Sequence, residues 1–387
     1  MRLLECLNST DPAQGGTVES TRQRCLALQK LGHHVELLVL DDPENPWLRK
    51  WPTPTHVLGR GISRYEYNSR IEPWVRRHAG FFDAILVNGV WRYLGCGIRR
   101  GLRRLKVPYF VIPHSMLNPW FQQKWSVTSL SKVAAWRLAE WKVLRDARAV
   151  LFTCEEEREL AVRSYSPYSC TQEVLTVVGT SVPPTEPGGA CDAFYSQFPH
   201  LKDKRIILYL GRLHPMKGCD LLIRAFSSVC YQDFNLHLVV AGPGEDAFRK
   251  FVRKLAKDCA VEDRISLVGP LYEEAKWGAL RAASLFALPS HCEAFPVALL
   301  EALGTGVPAL ITNRVNIWRY VAEAKAGFVD TDTVEGTIRS LRRWIGMSEL
   351  EIQVMRKSAC DCFRENFEAT SSAVRFVAGL RKHGVNC

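Results

Sequence analysis

The feature that most constrains this chain is a repeating alternation of short, unbroken apolar runs with longer stretches whose apolar residues recur at helical spacing. Residues 2 to 7 read as a strand, NSTDPAQGG as a turn-rich loop, about Val18 to Leu31 as a helix, and His34 to Leu40 as a second strand. Apolar runs at Ala84 to Val87, Val107 to Ile112 and Ala149 to Phe152 continue the series, while Leu48 to His78 reads as an irregular excursion rich in Arg, Trp and Tyr. Unbroken apolar runs belong to strands covered on both faces, so a parallel sheet flanked by helices is expected.

Pro183 to Gly189, within SVPPTEPGGA, reads as a boundary, after which the rhythm restarts. Strands are expected at Ile206 to Leu210, Leu236 to Val240, Ile265 to Val268, Leu285 to Leu288 and Ala309 to Ile311. Helices are expected between them at Asp220 to Ser228, Ala247 to Asp258, Glu273 to Ala282 and Val297 to Leu303. The reading is an α/β chain of two doubly wound Rossmann-like domains, residues 1–182 and 190–365. Two or three amphipathic helical segments follow from about Val334 to His383, and a final helix over 366–387 can pack back on the first domain.

Composition bounds what this architecture can serve. A length of 387 residues exceeds what one core usually fills. The net charge of +11 favours an anionic partner, whether a phosphorylated substrate, an acidic membrane face or nucleic acid. No zinc-finger spacing or RNA-binding aromatic signature accompanies it, so no nucleic-acid partner is expected. The 13 cysteines are scattered and lack CxxC spacing, which points to reduced thiols and no structural metal. No run approaches the roughly 18 consecutive apolar residues that cross a bilayer. The opening MRLLECLNSTDPAQGG turns polar too soon for a secretory signal, so residence in the cytoplasm is expected, with peripheral attachment to a membrane left open.

Parallel α/β domains bind ligands at the carboxyl ends of strands, and four stretches fall there: Gly15 with Gly16, His114, Arg212 to Gly218, and Glu293 to Glu301. LYLGRLHPMKG places Arg212 and Lys217 in one loop before a helix, where two cations and a helix dipole suit a diphosphate. Taken alone, the same pattern also fits solvated cations flanking a turn. PSHCEAFPVALLEALGTGVP places Glu293 after a strand and Glu301 on the following helix; carboxylates accept paired sugar hydroxyls, though surface or capping roles fit equally.

Together these stretches resemble the retaining glycosyltransferases of family 4, the glycosyl transferases group 1, with the GT-B fold in which two Rossmann-like domains face each other across a cleft. EAFPVALLE matches the family's pattern at Glu293, Phe295 and Glu301, GRLHPMKG its basic loop, Gly15-Gly16 its first glycine-rich loop, and PHSMLNPW its histidine segment. The resemblance implies that residues 1–182 meet the acceptor and 190–365 hold a nucleoside-diphosphate sugar, UDP- or GDP-linked. On it, Glu301 would bind the ribose and Glu293 the donor sugar's hydroxyls, while Arg212 and Lys217 neutralise the leaving diphosphate with no metal. Gly16 would admit that phosphate close to the backbone from the opposite domain, and His114 would contact the hexose; a structural histidine at a strand end is the plainer alternative.

Three departures stand out. Pro296 replaces a common glycine and has no N–H, shifting phosphate contacts to neighbouring amides such as Val297. Ser115 follows His114 where glycine is usual, and VVGTSVPP keeps the Gly179 of the family's usual Pro-Asn-Gly but loses its asparagine, which weakens any transfer of a donor contact to Thr180. The implied chemistry is hexose transfer with retention, by front-face attack and without a protein nucleophile, to a saccharide or lipid-linked saccharide in polysaccharide or glycolipid assembly. Arg60, Arg64, Tyr65, Tyr67 and Arg70, then Trp120, Lys124, Trp125, Trp136 and Trp141, supply aromatic and cationic surface for that acceptor or for a membrane, although Trp136 and Trp141 also suit a core. A nucleotide-sugar hydrolase or an idle carbohydrate-binding scaffold on the same fold are the competing readings.

Overall fold

The computed structural model describes residues 1–119, 133–166, 168, 170, 172–176, 179–184 and 191–385. The chain divides into two compact units, Met1–Ser181 together with Glu368–Cys387, and Val182–Phe367.

In the first unit, the described residues form a seven-stranded sheet from β1 (Arg2–Leu7), β2 (His34–Val39), β3 (Thr55–Val57), β4 (Ala84–Asn88), β5 (Tyr109–Ile112), β6 (Ala149–Phe152) and β7 (Glu173–Leu175). Its order is β3-β2-β1-β4-β5-β6-β7, and every pairing is parallel. Alternate residues of each central strand feed two separate cores. Leu4, Ile85, Val87 and Val111 meet the helices Ile71–His78 and Tyr93–Gly101 on one face. Leu3, Ala84, Leu86 and Phe110 meet Cys25 and Leu28 of Gly16–Lys30, and Phe376 and Leu380 of the terminal helix Ala369–Lys382, on the other. This is why β5 and β6, and β4 up to its last residue Asn88, are apolar without a break. The short β3 and the helix Ile71–His78 fall within the irregular stretch Leu48 to His78, and pairing or packing reveals them.

The second unit repeats the plan with six strands: β8 (Arg205–Leu210), β9 (Leu236–Ala241), β10 (Ile265–Gly269), β11 (Ala283–Leu288), β12 (Ala309–Thr312) and β13 (Gly327–Asp330). The order is β10-β9-β8-β11-β12-β13, again all parallel. In each unit the connections diverge at one point, between β1 and β4 and between β8 and β11, which opens a crevice beyond their carboxyl ends.

Two local features hold these crevices in shape. In the first unit, Arg24 grips Glu5 of β1 through Nε–Oε1 at 2.7 Å and Nη2–Oε2 at 2.9 Å, with Glu5 wholly buried and Arg24 nearly so. The guanidinium also lies 5.3 Å from the Phe376 ring centroid, joining the first and last helices of the chain. In the second unit, Gly218 takes the left-handed conformation (φ 65°), and a Cβ there would stand 2.0 Å from the Pro289 carbonyl oxygen. Only glycine meets both demands.

Glu5→Gln should lower the unfolding free energy of the first unit by about 3–5 kcal/mol, because it strands a buried guanidinium. Urea titration followed by far-UV circular dichroism measures this, and an unchanged midpoint would contradict it. Gly218→Ala should weaken the second unit by more than about 1 kcal/mol; a thermal midpoint equal to that of the parent would show that the loop relaxes freely.

Candidate functional site

At the carboxyl end of β8 the chain enters the loop Gly211–Gly218, which is pinned at several points. The buried Tyr209 hydroxyl donates to the Arg212 carbonyl at 3.1 Å, and the Leu213 N–H to Pro243 at 2.7 Å. His214 Nδ1 accepts from the Met216 N–H, and the Met216 carbonyl accepts from the His291 N–H at 2.9 Å, tying this loop to the one after β11. So constrained, Lys217 donates through Nζ to Glu293 Oε2, with both side chains largely covered. The Glu293 backbone is itself fixed: its N–H donates to Arg314 at 3.1 Å and its carbonyl accepts from Asn316 at 2.9 Å, both in the segment after β12. Arg212 is exposed, and among the described residues it forms no ion pair.

Neighbouring groups are electrostatically quiet. Burial, then the charge of Glu293, pushes the Cys292 thiol up to about 11, so the sulfur beside the site stays protonated. Burial likewise drives the Tyr209 phenol far above its ordinary value and keeps it a neutral donor.

The helix Val297–Gly304 starts just beyond a half-buried Phe295. Pro296 (φ −83°, ψ 86°) closes a tight turn in which the Val297 N–H donates to the Phe295 carbonyl at 3.1 Å. Leu299 and Leu300 both donate to the Pro296 carbonyl, whereas the Ala298 N–H has no acceptor among the described residues. The amide left at this helix start is therefore that of Ala298, which sequence reasoning passed over in favour of Val297. Glu301, farther along the helix, accepts from Lys276 Nζ at 2.7 Å.

In the first unit the glycine-rich loop is anchored by Asp41, which accepts from Ser9 Oγ and from the N–H and Oγ1 of Thr10 at 2.6–2.7 Å. Gly15 (φ 77°, ψ −134°) then turns the chain into the helix Gly16–Lys30. Val18 and Glu19 donate to the Gly15 carbonyl, and the amides of exposed Gly16 and half-buried Thr17 have no acceptor among the described residues. Such a helix start suits an anion.

His114 sits beyond β5 at φ 51°, followed by Ser115 at φ 58°. Its Nε2 lies 2.8 Å from Asn88 Oδ1. Asn88 Nδ2 donates to Glu5 Oε2 at 2.6 Å while Oδ1 also accepts from Arg24 at 2.8 Å, which fixes the amide's orientation. His114 must then donate from Nε2, leaving Nδ1 as a bare acceptor. Burial, then the charge of Arg24, lowers its pKa to about 3, so the ring is neutral. The turn is held from behind by buried Glu157, which accepts from the Ser115 and Thr153 N–H groups and from Thr153 Oγ1. Neither Asn88 nor Glu157 stands out in the sequence.

A cavity of about 1050 Å³ opens beyond β1 and β4, lined among others by Asn8, Thr17, Arg64, Tyr65, Trp91 and Arg92. Ser63, Glu66 and Trp91 along its wall have positive φ, a strain that clusters at functional sites. Glu140, in the π-helical turn Trp136–Glu140, braces this wall by accepting from the Tyr65 hydroxyl at 2.8 Å and the Trp91 N–H at 3.2 Å. Burial pushes its carboxyl up to about 7. Asn8 Oδ1 and Glu66 Oε2 are buried without a hydrogen-bond partner among the described residues.

Several surface candidates take other roles. Trp136 is a core residue, 1% exposed and packed on Trp91 and Tyr165. Trp141 carries Arg145 over its ring at 4.6 Å, and Arg70 donates to the Leu58 carbonyl at 2.7 Å. Thr180 accepts from the Ala369 N–H at 3.0 Å and so anchors the terminal helix. Trp120, Lys124 and Trp125 lie outside the described residues. Among the described residues no helix is long and apolar enough to cross a membrane.

Known proteins with the same pattern can now be set beside this geometry. Residues 193–357 match the family of glycosyl transferases group 1, and residues 15–175 match the glycosyl transferase 4-like domain. The chain is similar to D-inositol 3-phosphate glycosyltransferase of Streptomyces avermitilis, with 26% identity over 65% of this chain and 56% of that protein. It is also similar to mannosylfructose-phosphate synthase of Agrobacterium fabrum, with 32% identity over 30% of this chain and 27% of that protein. The match thus spans little more than half of the first relative's length and about a quarter of the second's. Among solved structures, sucrose-phosphate synthase from Thermosynechococcus elongatus superposes with a TM-score of 0.78 at 19% identity, covering 99% of this chain and 98% of that one. HepE from Anabaena in complex with UDP does so with a TM-score of 0.80 at 16% identity, covering 99% and 100%. Family matches over both units and a shared architecture of two parallel sheets place this chain among the group 1 glycosyltransferases, with their two-domain GT-B fold.

Proposed function

We propose that this protein is a retaining glycosyltransferase that moves a hexose from a UDP- or GDP-linked donor to a saccharide or lipid-linked saccharide acceptor, in polysaccharide or glycolipid assembly on the cytoplasmic side of a membrane. The observation that carries this reading is the group at the carboxyl ends of β8 and β11: Lys217 locked to Glu293, Arg212 exposed in the same loop, and Glu301 on the adjoining helix. HepE, similar in fold, binds UDP and UDP-glucose, which supports a nucleotide-sugar donor.

In the proposed mechanism Glu301 accepts the ribose hydroxyls and Glu293 accepts hydroxyls of the hexose. Arg212 and Lys217 offset the charge that develops on the leaving diphosphate, without a divalent cation. The Ala298 amide takes the phosphate contact first assigned to Val297, whose N–H is already engaged. In the first unit, the Gly16 amide, presented by the Gly15 turn, offers a further phosphate contact, and His114 presents Nδ1 as an acceptor for a hexose hydroxyl. No protein nucleophile is assigned: Cys292 stays a protonated thiol and Glu293 is held by Lys217. Front-face attack, with the departing phosphate taking the acceptor's proton, gives retention. The cavity beyond β1 and β4 is assigned to the acceptor. Trp91 and Tyr65 on its wall suit a sugar face, and Arg64 and Arg92 suit its polar groups.

Isothermal titration with UDP and GDP in EDTA should show binding of one nucleotide, weakened at least about tenfold by Glu301→Ala; binding of neither would revive the scaffold reading. Lys217→Met should lower donor turnover by about 100-fold or more, measured by nucleotide release from UDP- or GDP-hexose with and without saccharide acceptors; full turnover without any acceptor would favour a hydrolase. Because burial holds His114 near pKa 3, its imidazole should remain neutral and Nε2-protonated from pH 5 to 8. Nitrogen-15 NMR of the ring checks this, and a titration midpoint near 6.5 would contradict the buried network.

A further inference from the structure

Each functional carboxylate of the second unit is paired with a lysine, but the two lysines have different standing. Lys217 belongs to the basic loop itself. Lys276 lies outside every motif discussed above, on the helix Glu273–Ala282 that follows β10. Its Nζ stands 2.7 Å from Glu301 Oε1, and the ammonium lies 4.4 Å from the Trp277 ring centroid.

Local sequence offers this lysine easier partners. Glu273 is three residues away on the same helix, the usual spacing for a surface ion pair. No ion pair joins the two among the described residues. Lys276 instead reaches to a neighbouring helix and a carboxylate only 13% exposed, with its own side chain 25% exposed. Such a partly desolvated pair is worth more than a surface one, and losing one member leaves the other charge poorly solvated.

We propose that Lys276 is a positioning residue for nucleotide recognition, holding the Glu301 carboxylate in the orientation from which it accepts the two ribose hydroxyls of the donor. The proposal rests on the reading of Glu301 as the ribose ligand. The ammonium on Oε1 fixes the rotamer of the carboxylate, removing freedom that ligand binding would otherwise have to freeze. Without the ammonium, the largely covered carboxylate would turn toward water and lose its grip on the hydroxyls.

The test is a cycle between protein and ligand, read by titration calorimetry with UDP and 2′,3′-dideoxy-UDP, or the guanosine pair if GDP is the nucleotide bound. The parent protein should prefer the ribonucleotide by about 100-fold or more, since a site built for hydroxyls is left with unpaired groups by the analogue. In Lys276→Met and Lys276→Gln that preference should shrink to about tenfold or less, with affinity for the dideoxy compound little changed, and Lys276→Arg should restore most of it. Far-UV circular dichroism selects the folded variants. Equal weakening of both nucleotides would mean that Lys276 touches phosphate or base directly, and no change would mean the pair is incidental; either overturns the proposal. If the parent does not distinguish the two nucleotides, or Glu301→Ala leaves their ratio intact, the ribose role of Glu301 itself fails and the proposal falls with it.

Discussion

A parallel sheet covered on both faces leaves a protein few places to do chemistry. Along the central strands the apolar side chains are committed to cores on either face, and the backbone groups to neighbouring strands. Polar residues can stand free only where strands end and connections part. In this chain those points are the carboxyl ends of β1 and β4 in one unit and of β8 and β11 in the other. The Gly15-Gly16 loop and the His114 turn lie at or near the first. The Arg212–Gly218 loop and Glu293 lie at the second. The fold thus restricts chemically active side chains to two small regions before any residue is chosen for its reactivity.

What distinguishes the regions is how charge is managed. In the second unit, acidic groups that would bind hydroxyls are met by lysines, Lys217 for Glu293 and Lys276 for Glu301. Arg212 is exposed and forms no ion pair among the described residues. In the first unit one cation, Arg24, is buried with Glu5, and Asn88 spreads their influence to His114. The same positive charge that satisfies Glu5 helps keep the histidine neutral. A neutral ring with a fixed tautomer is a hydrogen-bonding group and is not poised as an acid or base.

Much of this was legible in the residues. The strand and helix rhythm, the restart after the proline-rich segment, and the four strand-end stretches are all written in local patterns of a few residues. The long apolar runs of β4, β8 and β11 could hardly be anything but buried strands. Other parts left no local trace. β3 and β7 are three-residue strands that exist because a neighbour pairs with them. Trp136 reads equally as a surface or a core aromatic until Trp91 and Tyr165 are found against it. Val297 looked available because proline removes the preceding N–H, yet the turn that proline forms consumes the Val297 amide and leaves Ala298 open.

The amino-acid sequence by itself determined the class of fold, the number of sheets and the strand ends at which charged residues gather, because periodicity, breakers and charged loop residues act over a few neighbours. Only the tertiary structure decided which partners those residues have. Lys276 and Glu301 are 25 residues apart, Glu5 and Asn88 are 83 apart, and Gln23 meets Ser181 across 158. Contacts of that range depend on strand order and helix packing. They settle whether a carboxylate is held or loose, and whether a histidine is charged or neutral.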